Sequence, residues 1–372
     1  MTTTATKTIT RGVFASRELG IVIALVVVVG AATIARPGFL SGQGLHDLFL
    51  NASIIALLAI GQTLLVITRN IDLSVGSVMG LTAFLSGQIF LHDQGTPVIL
   101  VVLAGIGLGA LCGAINGALV AVAKVPALVV TLGTLYVFRG IDYAWASASG
   151  IQQVNAYQMS PEFLSFGSGS VLGVPNLTII ALVVLALAAY GLHNYRSGRE
   201  LYAIGSNPDA ARLAGIPTGR RVLTAFVVSG ALVGLGGVLH AAYFGTINAS
   251  VGTGEELSVV AAVVVGGVAI FGGSGTVVGA ALGALLLTTV TSALPILGVP
   301  AFWQRAVDGA ALLVAISLDR AVMVRLAARL RAEREARVTS AARTEKRAQT
   351  RGPSAEHATR DDDGQATKRS EP

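Results

Sequence analysis

The sequence predicts an all-α, polytopic membrane protein with about ten transmembrane helices. Three observations predict it. Hydrophobic residues make up 53% of the 372 and charged residues only 12%, with a mean hydropathy of +0.71. The apolar residues fall into separate runs of roughly the 20 residues that a helix needs to cross a bilayer. Glycine is abundant, at 45 residues, well above the usage of a soluble domain. Such runs are too long for barrel strands, and only helices and closed barrels satisfy their backbone groups in lipid.

In chain order the runs are 19–35, 46–68, 73–91, 97–122, 127–147, 176–194, 222–244, 256–271, 276–297 and 302–320. The first has a basic flank (Lys7, Arg11, Arg17) and no small-residue cleavage site before Pro37, so it reads as a retained helix. The eighth is short and is expected to be re-entrant or broken. Basic residues mark cytoplasmic loops. With the N-terminus inside, Arg69, Lys124, Arg196, Arg199, Arg212, Arg220 and Arg221 all fall inside, while the outer loops hold Arg36, with Arg305 near the start of the last run. The division is a cytoplasmic segment 1–18, a membrane domain 19–322 with a cytoplasmic loop 195–221, and a charged cytoplasmic tail 323–372. The tail opens with a helical pattern, "VRLAARLRAEREARV", and ends in polar sequence expected to be disordered. The formal charge of +6 belongs largely to this membrane-side distribution, so nucleic acid is not implied.

The outer stretch 150–175 is rich in Ser, Gly and Pro and is expected to fold as a loop or a short helix around "SPEFLSF". Glycines in "GIGLGALCGAING", "GALVGLGG" and "GTVVGAALG" recur at the small-xxx-small spacing that lets helices approach closely. Both "NIDLSVGSVMGLTAFLSG" and "IFGGSGTVVGAALGALL" join a polar or glycine break to a helix opening with small residues, which suggests an internal repeat of about five helices.

Catalysis is largely excluded. The five His are scattered, no nucleophile elbow occurs, and the lone Cys112 has no disulfide partner. "GGVAIFGGSGTVVG" lacks the Gly-Lys-[Ser/Thr] ending of a phosphate loop. No catalytic group, metal site or cofactor is therefore expected in this chain, and ATP with Mg would be bound by another subunit.

The loop 195–221 is the most informative. Ser206 or Asn207 can cap a helix, Pro208 suits its first turn, Asp209 complements the dipole, and Gly215 stops it after Ala211, Arg212 and Leu213. Ala211, Leu213 and Ile216 give this short helix an apolar side. Two readings are open: a helix resting on the bilayer, or a rigid knob for a cytoplasmic partner.

Within the membrane, Arg139 and Asp142 form an i,i+3 pair, and such ionisable residues usually face a bundle interior or a wet cavity. Mutual neutralisation is the alternative. Asn116 can serve sugar hydroxyls or bond between helices. Glu255 and Glu256 begin the eighth run from outside, as dipole-favoured acids or as a contact for a docking partner. Asn70 and Asp72 interrupt "GQTLLVITRNIDLSVGSVMG"; Asp72 can cap the third helix, or the break can line a path or relay motion.

That segment, with "KVPALVVTLGTLYVFRGI", "GRELYAIGSNPDAARLAGI" and "VVVGGVAIFGGSGTVVGAALGALL", resembles the permease subunits of monosaccharide ABC importers, the family of ribose, arabinose, xylose, rhamnose and autoinducer-2 permeases. The resemblance covers about residues 15–322. In "TRNIDLSVGS" and "VPAFWQRAVDGAALLVAISLDR" it runs nearest to the rhamnose and autoinducer-2 members. It implies a sugar path between two permease subunits, the second being a copy of this chain or a homologue. It also implies a pair of cytoplasmic ATPase subunits and an extracytoplasmic sugar-binding protein. The helix from Asn207 to Ile216 would then be the coupling helix seated in the ATPase. The competing class is an ion-coupled secondary sugar transporter, which would need membrane-embedded carboxylates; Asp142 is the deep one, already beside Arg139.

Overall fold

Most of the expected runs become single helices. The computed structural model describes residues 3–300, 303–307, 309–314 and 317, with side chains from 19 onward. The helices are α1 (Thr3–Ala35), α2 (Gly42–Ile67), α3 (Val75–His92), α4 (Val98–Ala121), α5 (Ala127–Ser149), α6 (Pro161–Ser168), α7 (Asn176–Asn194), α8 (Arg196–Ser206), α9 (Pro208–Leu213), α10 (Thr218–Phe244), α11 (Glu255–Val265) and α12 (Val277–Ile296). Among the described residues, seven of them (α2, α3, α4, α5, α7, α10 and α12) are long and apolar enough to cross a membrane, and Leu19–Ala35 within α1 is a shorter apolar stretch. The chain divides into units Met1–Ile316 and Ser317–Pro372. The tail's expected helix and disorder lie outside the described residues, as does part of the run 302–320.

Local sequence explains where these helices start and stop. Pro97, Pro126 and Pro175 immediately precede α4, α5 and α7, where a missing N–H costs nothing. Ser41 and Thr276 cap α2 and α12 by accepting from Gly44 N and Gly279 N. The stretch 150–175 folds as expected, with α6 at its centre. It also holds β1 (Gln153–Val154) and a hairpin of β2 (Ser170–Val171) and β3 (Val174–Pro175), and β1 pairs antiparallel with β4 (Ile247–Asn248) after α10.

Burial separates the centre from the lipid face. In its most apolar window α2 is 83% buried within the chain, whereas α7 is 17% buried and turns Leu182, Val183 and Leu187 outward. Apolar side chains stacked along α2, from Leu50 through Leu57 and Leu58 to Leu65 and Ile67, meet α3, α10, α11 and α12. The glycine spacing does what it predicts: α4 and α10 touch backbone to backbone, and a Cβ on Gly109 would collide with the Gly230 carbonyl, as one on Gly230 would with that of Gly109.

The eighth run is broken, for a reason the sequence only hinted at. After α10 the chain runs back along α3, with Ile247 against Gly87, Val251 against Gly80 and Gly252 against Gly76. That is a descent of about 16 Å on a helix rising 1.5 Å per residue. So α11 begins beside the first turn of α3, inside the bundle, and its 11 residues end at Gly266. Glu255 and Glu256, expected where the eighth run meets the outer surface, are carried inward with it.

Candidate functional site

The loop 195–221 folds into two short helices. The expected one is α9: Asn207 Oδ1 accepts from Asp209 N at 3.1 Å and Ala210 N at 3.0 Å, and Pro208 occupies the first turn. Its far end is a Schellman turn, with Gly215 N donating to Arg212 O and Ile216 N to Ala211 O while Gly215 takes φ 76°. Ala211 is buried and Ile216 half-buried, but Leu213 is 90% exposed at the tip. Arg212 and Asp209 form an exposed pair at 3.8 Å.

The sequence reading missed α8. Its Glu200 is buried between Arg196, whose Nε donates at 2.7 Å, and Arg221 Nε at the start of α10. The Arg221 and Arg196 guanidiniums hold the Glu200 carboxyl below its ordinary range. The i,i+4 spacing of Arg196 and Glu200 was the available signal.

Where α8 ends, the break after α2 meets it. Arg69, in a left-handed conformation with φ 67°, donates from Nε to Gly205 O and from Nη2 to Ser206 O at 2.8 Å. Gly273, from the loop between α11 and α12, donates to Ile67 O at 2.8 Å, and Tyr202 Oη to Gly275 O at 2.8 Å. A side chain at Gly205 would collide with the Ile67 carbonyl and the Gly273 amide. Three breaks, after α2, after α8 and after α11, are thus tied at one point directly before α9.

Asn70 stays local, donating from Nδ2 to Thr68 Oγ1 at 2.9 Å. Asp72 turns inward. Its Oδ1 accepts from Ser74 N at 2.8 Å and Ser74 Oγ at 2.6 Å, and its Oδ2 from Asn116 Nδ2 at 3.4 Å. Of the amides in "LSV" it takes only that of Ser74, which itself occupies the cap position of α3. Asn116, wholly buried, also donates to Ser74 Oγ at 2.9 Å. The two sequence candidates therefore form one cluster joining α4 to the start of α3.

Arg139 and Asp142 lie apart from that cluster. Arg139 Nη1 donates to Ala249 O at 2.8 Å and Val251 O at 2.7 Å, holding the segment that runs back along α3, and lies 3.9 Å from Asp142 Oδ2. Asp142 is wholly buried, and neither carboxylate oxygen has a hydrogen-bond partner among the described residues. Gly80 makes the space for this pair: a Cβ there would press on Arg139 and Asp142.

None of these residues lines the cavity of about 390 Å³ between α2, α10, α11 and α12. Its polar lining includes Asn51, Glu255, Ser258, Thr288, Thr291 and Arg305, which sequence reading left unassigned or read as capping. They come from four separated segments, and only the helix break at 245–254 brings them together.

The comparisons agree with this architecture. Residues 44–316 match the family described as "Branched-chain amino acid transport system / permease component". Autoinducer 2 import system permease proteins LsrC from Enterobacter sp. (strain 638) and Escherichia coli (strain K12 / DH10B) are each 36% identical to this chain. The alignments span 304 and 322 residues, covering 82% and 87% of this chain and 87% and 92% of the relatives. The protein of the same name from Salmonella paratyphi B is 39% identical over 305 residues, 81% of this chain and 85% of its own. No solved structure is significantly similar. The chain therefore belongs to this family, as a membrane permease component of the monosaccharide ABC-importer kind.

Proposed function

We propose that this chain forms the translocation path of an ATP-driven importer for a small polyhydroxylated cargo, with α8 and α9 as its coupling element. The observation that carries the reading is Leu213. An apolar side chain 90% exposed at the tip of a helix capped at both ends contributes little to this chain's own core, and suits a groove on a partner. Glu200 and Arg69 fix the base of this knob to α10 and to the break after α2, so force on α9 reaches the bundle. ATP-driven closure of the partner would pull on α9 and tilt helices against one another, giving alternating access.

The relatives' name, autoinducer 2 import, supports a cargo of that kind ahead of other monosaccharides. Ten crossings, counting the broken α11 stretch and the run 302–320, leave both termini in the cytoplasm. Clustering of Arg69, Arg196, Arg199, Arg220 and Arg221 around α8 and the start of α10 supports that orientation. The assembly has a second permease subunit, a copy or a homologue, two ATPase subunits that bind ATP and Mg, and an extracytoplasmic sugar-binding protein. Asn116, Asp72 and Arg139 hold the two buried helix starts in place, a reading supported by their hydrogen bonds, with Asp142 beside Arg139 at 3.9 Å.

A cross-link tests the knob. Leu213→Cys in a Cys112→Ala background should form a disulfide or short cross-link with an engineered cysteine in the groove of the co-expressed ATPase, in membranes. Absence of any such adduct at groove positions, with the complex intact, contradicts the coupling role.

A further inference from the structure

A groove of about 550 Å³ lies between α7, α8 and α10, on the side of the bundle where α7 leaves most of its apolar surface outside the chain's own packing. Its body is apolar, with Val184 and Leu192 from α7, Val228 and Leu232 from α10, and Leu64 from α2. It follows α10 from Arg221 to Leu232, a length of about 16 Å on a helix rising 1.5 Å per residue.

One end has a different chemistry. There α8 contributes Ser197, Gly198 and Leu201, and Arg221 stands in the wall with Thr224 one turn further along α10. Of the described residues in the lining, Arg221 alone is charged. Its Nε donates to Glu200 Oε2, which leaves both Nη groups as donors. Arg196, 81% exposed, donates to the other oxygen of the same carboxylate. Arg199 donates from Nη1 to Asn194 O at the end of α7, and Arg220 is exposed beside Arg221. Four guanidiniums thus stand at this end against the one carboxylate of Glu200, which two of them already share.

The same end carries a marker of depth. Tyr190 and Tyr195, both exposed, meet edge to face at 5.9 Å between ring centroids where α7 stops. Tyrosines at a helix end are enriched at the boundary between hydrocarbon and headgroups. The groove therefore has an apolar body at the depth of acyl chains and a cationic mouth at the depth of headgroups.

That division selects the occupant. A soluble anion would use the mouth and leave the apolar body empty, and an apolar helix face would fill the body and leave the guanidiniums unanswered. A phospholipid of net negative charge answers both, since basic pockets between membrane helices take anionic headgroups and a guanidinium binds phosphate through two parallel hydrogen bonds.

We infer that the groove between α7, α8 and α10 is a binding site for an anionic phospholipid, with an acyl chain along Val184, Val228 and Leu232 and the phosphate on Arg221. A headgroup there shares Arg221 with Glu200 and so touches the base of α8. The inference requires only that the chain sits in a bilayer, and it stands or falls apart from the importer reading.

Native mass spectrometry of the full-length chain in detergent micelles, titrated with phosphatidylglycerol and with phosphatidylcholine of the same acyl chains, tests it. Phosphatidylcholine carries the same phosphate with a compensating choline, so the arginines should favour phosphatidylglycerol by at least about tenfold in affinity. Arg221→Gln removes the headgroup contact, and Val228→Trp fills the apolar body while leaving Arg221 and Glu200 in place. Each should weaken phosphatidylglycerol binding by at least about tenfold, whereas Leu103→Trp, on the exposed face of α4, should leave it unchanged. If Arg221→Gln fails to accumulate, Val228→Trp decides by itself. Equal affinity of the wild type for the two lipids, or tight phosphatidylglycerol binding retained in Val228→Trp, overturns the inference. Loss of self-association in Val228→Trp with lipid binding intact overturns it too, and makes a second copy of this chain the occupant.

Discussion

Arg69 reaches from the break between α2 and α3 to the end of α8, donating from Nη2 to the Ser206 carbonyl at 2.8 Å and from Nε to that of Gly205. A cation there satisfies carbonyls that a helix end leaves unpaired and complements its dipole. The contact ties the polar interruption between the second and third runs to the proposed coupling element.

Replacing Arg69 with Gly removes that tie and keeps the backbone, since Gly adopts φ 67° without strain. Hydrogen bonds to a charged group contribute about 1.5–3 kcal/mol, less where water competes. ATP-driven uptake should fall by about tenfold, with normal membrane levels on immunoblots, as 1.4 kcal/mol corresponds to tenfold. Arg69→Lys should restore little, because an ammonium cannot span both carbonyls as the guanidinium fork does.

Leu213→Asp leaves the fold intact, because substitutions at such exposed positions change stability by about 0.5 kcal/mol or less. Co-purification with the ATPase should drop and uptake should be lost, as for an interface anchor whose removal costs about 2 kcal/mol or more. Gly215→Leu attacks the same helix through its backbone, where a left-handed residue with a side chain costs about 1–2 kcal/mol. In both variants ATP hydrolysis, measured in detergent, should no longer respond to cargo-loaded binding protein.

Glu200 gives the base of the knob a pH dependence. Arg221 and Arg196 hold its folded pKa below the ordinary 4.5, so its pairing stabilises the fold above that value and is lost as pH falls through the depressed folded pKa. Thermal melting of wild type and Glu200→Gln should differ at pH 7. The difference should hold down to pH near 5 and then narrow as pH falls below 4.5.

Gly230→Leu drives a side chain into the Gly109 carbonyl at the contact of α4 with α10. Overpacking costs about 1–3 kcal/mol, and more where both partners are backbone. The variant should melt earlier and accumulate less in the membrane. Gly107→Leu is the control, because nothing lies within 4 Å of a Cβ there.

What was legible in the sequence follows from where each signal resides. Helices such as α2 and α12 announce themselves by apolar length, and α9 by Asn207, Pro208 and Gly215, because caps are written in adjacent residues. That α4 and α10 each pack closely was legible for the same reason, as Gly105, Gly109, Gly230 and Gly234 keep a fixed period, but that they pack on each other was not. By contrast α8 has only one buried face, at Glu200, Leu201 and Ile204, within a charged segment that reads as loop. Asn116 could be flagged as polar and intramembrane, but its partners Asp72 and Ser74 lie more than forty residues away on another helix start. The polar lining of the cavity between α2, α10, α11 and α12 was illegible because α11 is placed by 247–252 running along Gly76, Gly80 and Gly87 of α3, a tertiary event with no local pattern.

The most direct measurement of the central claim is uptake into proteoliposomes containing this permease, its partner subunits and the binding protein, with cargo outside and ATP inside, run with and without the ATPase. The account predicts accumulation that requires both ATP and the ATPase and disappears in Leu213→Asp. Accumulation driven by a proton or sodium gradient in the absence of the ATPase would contradict it.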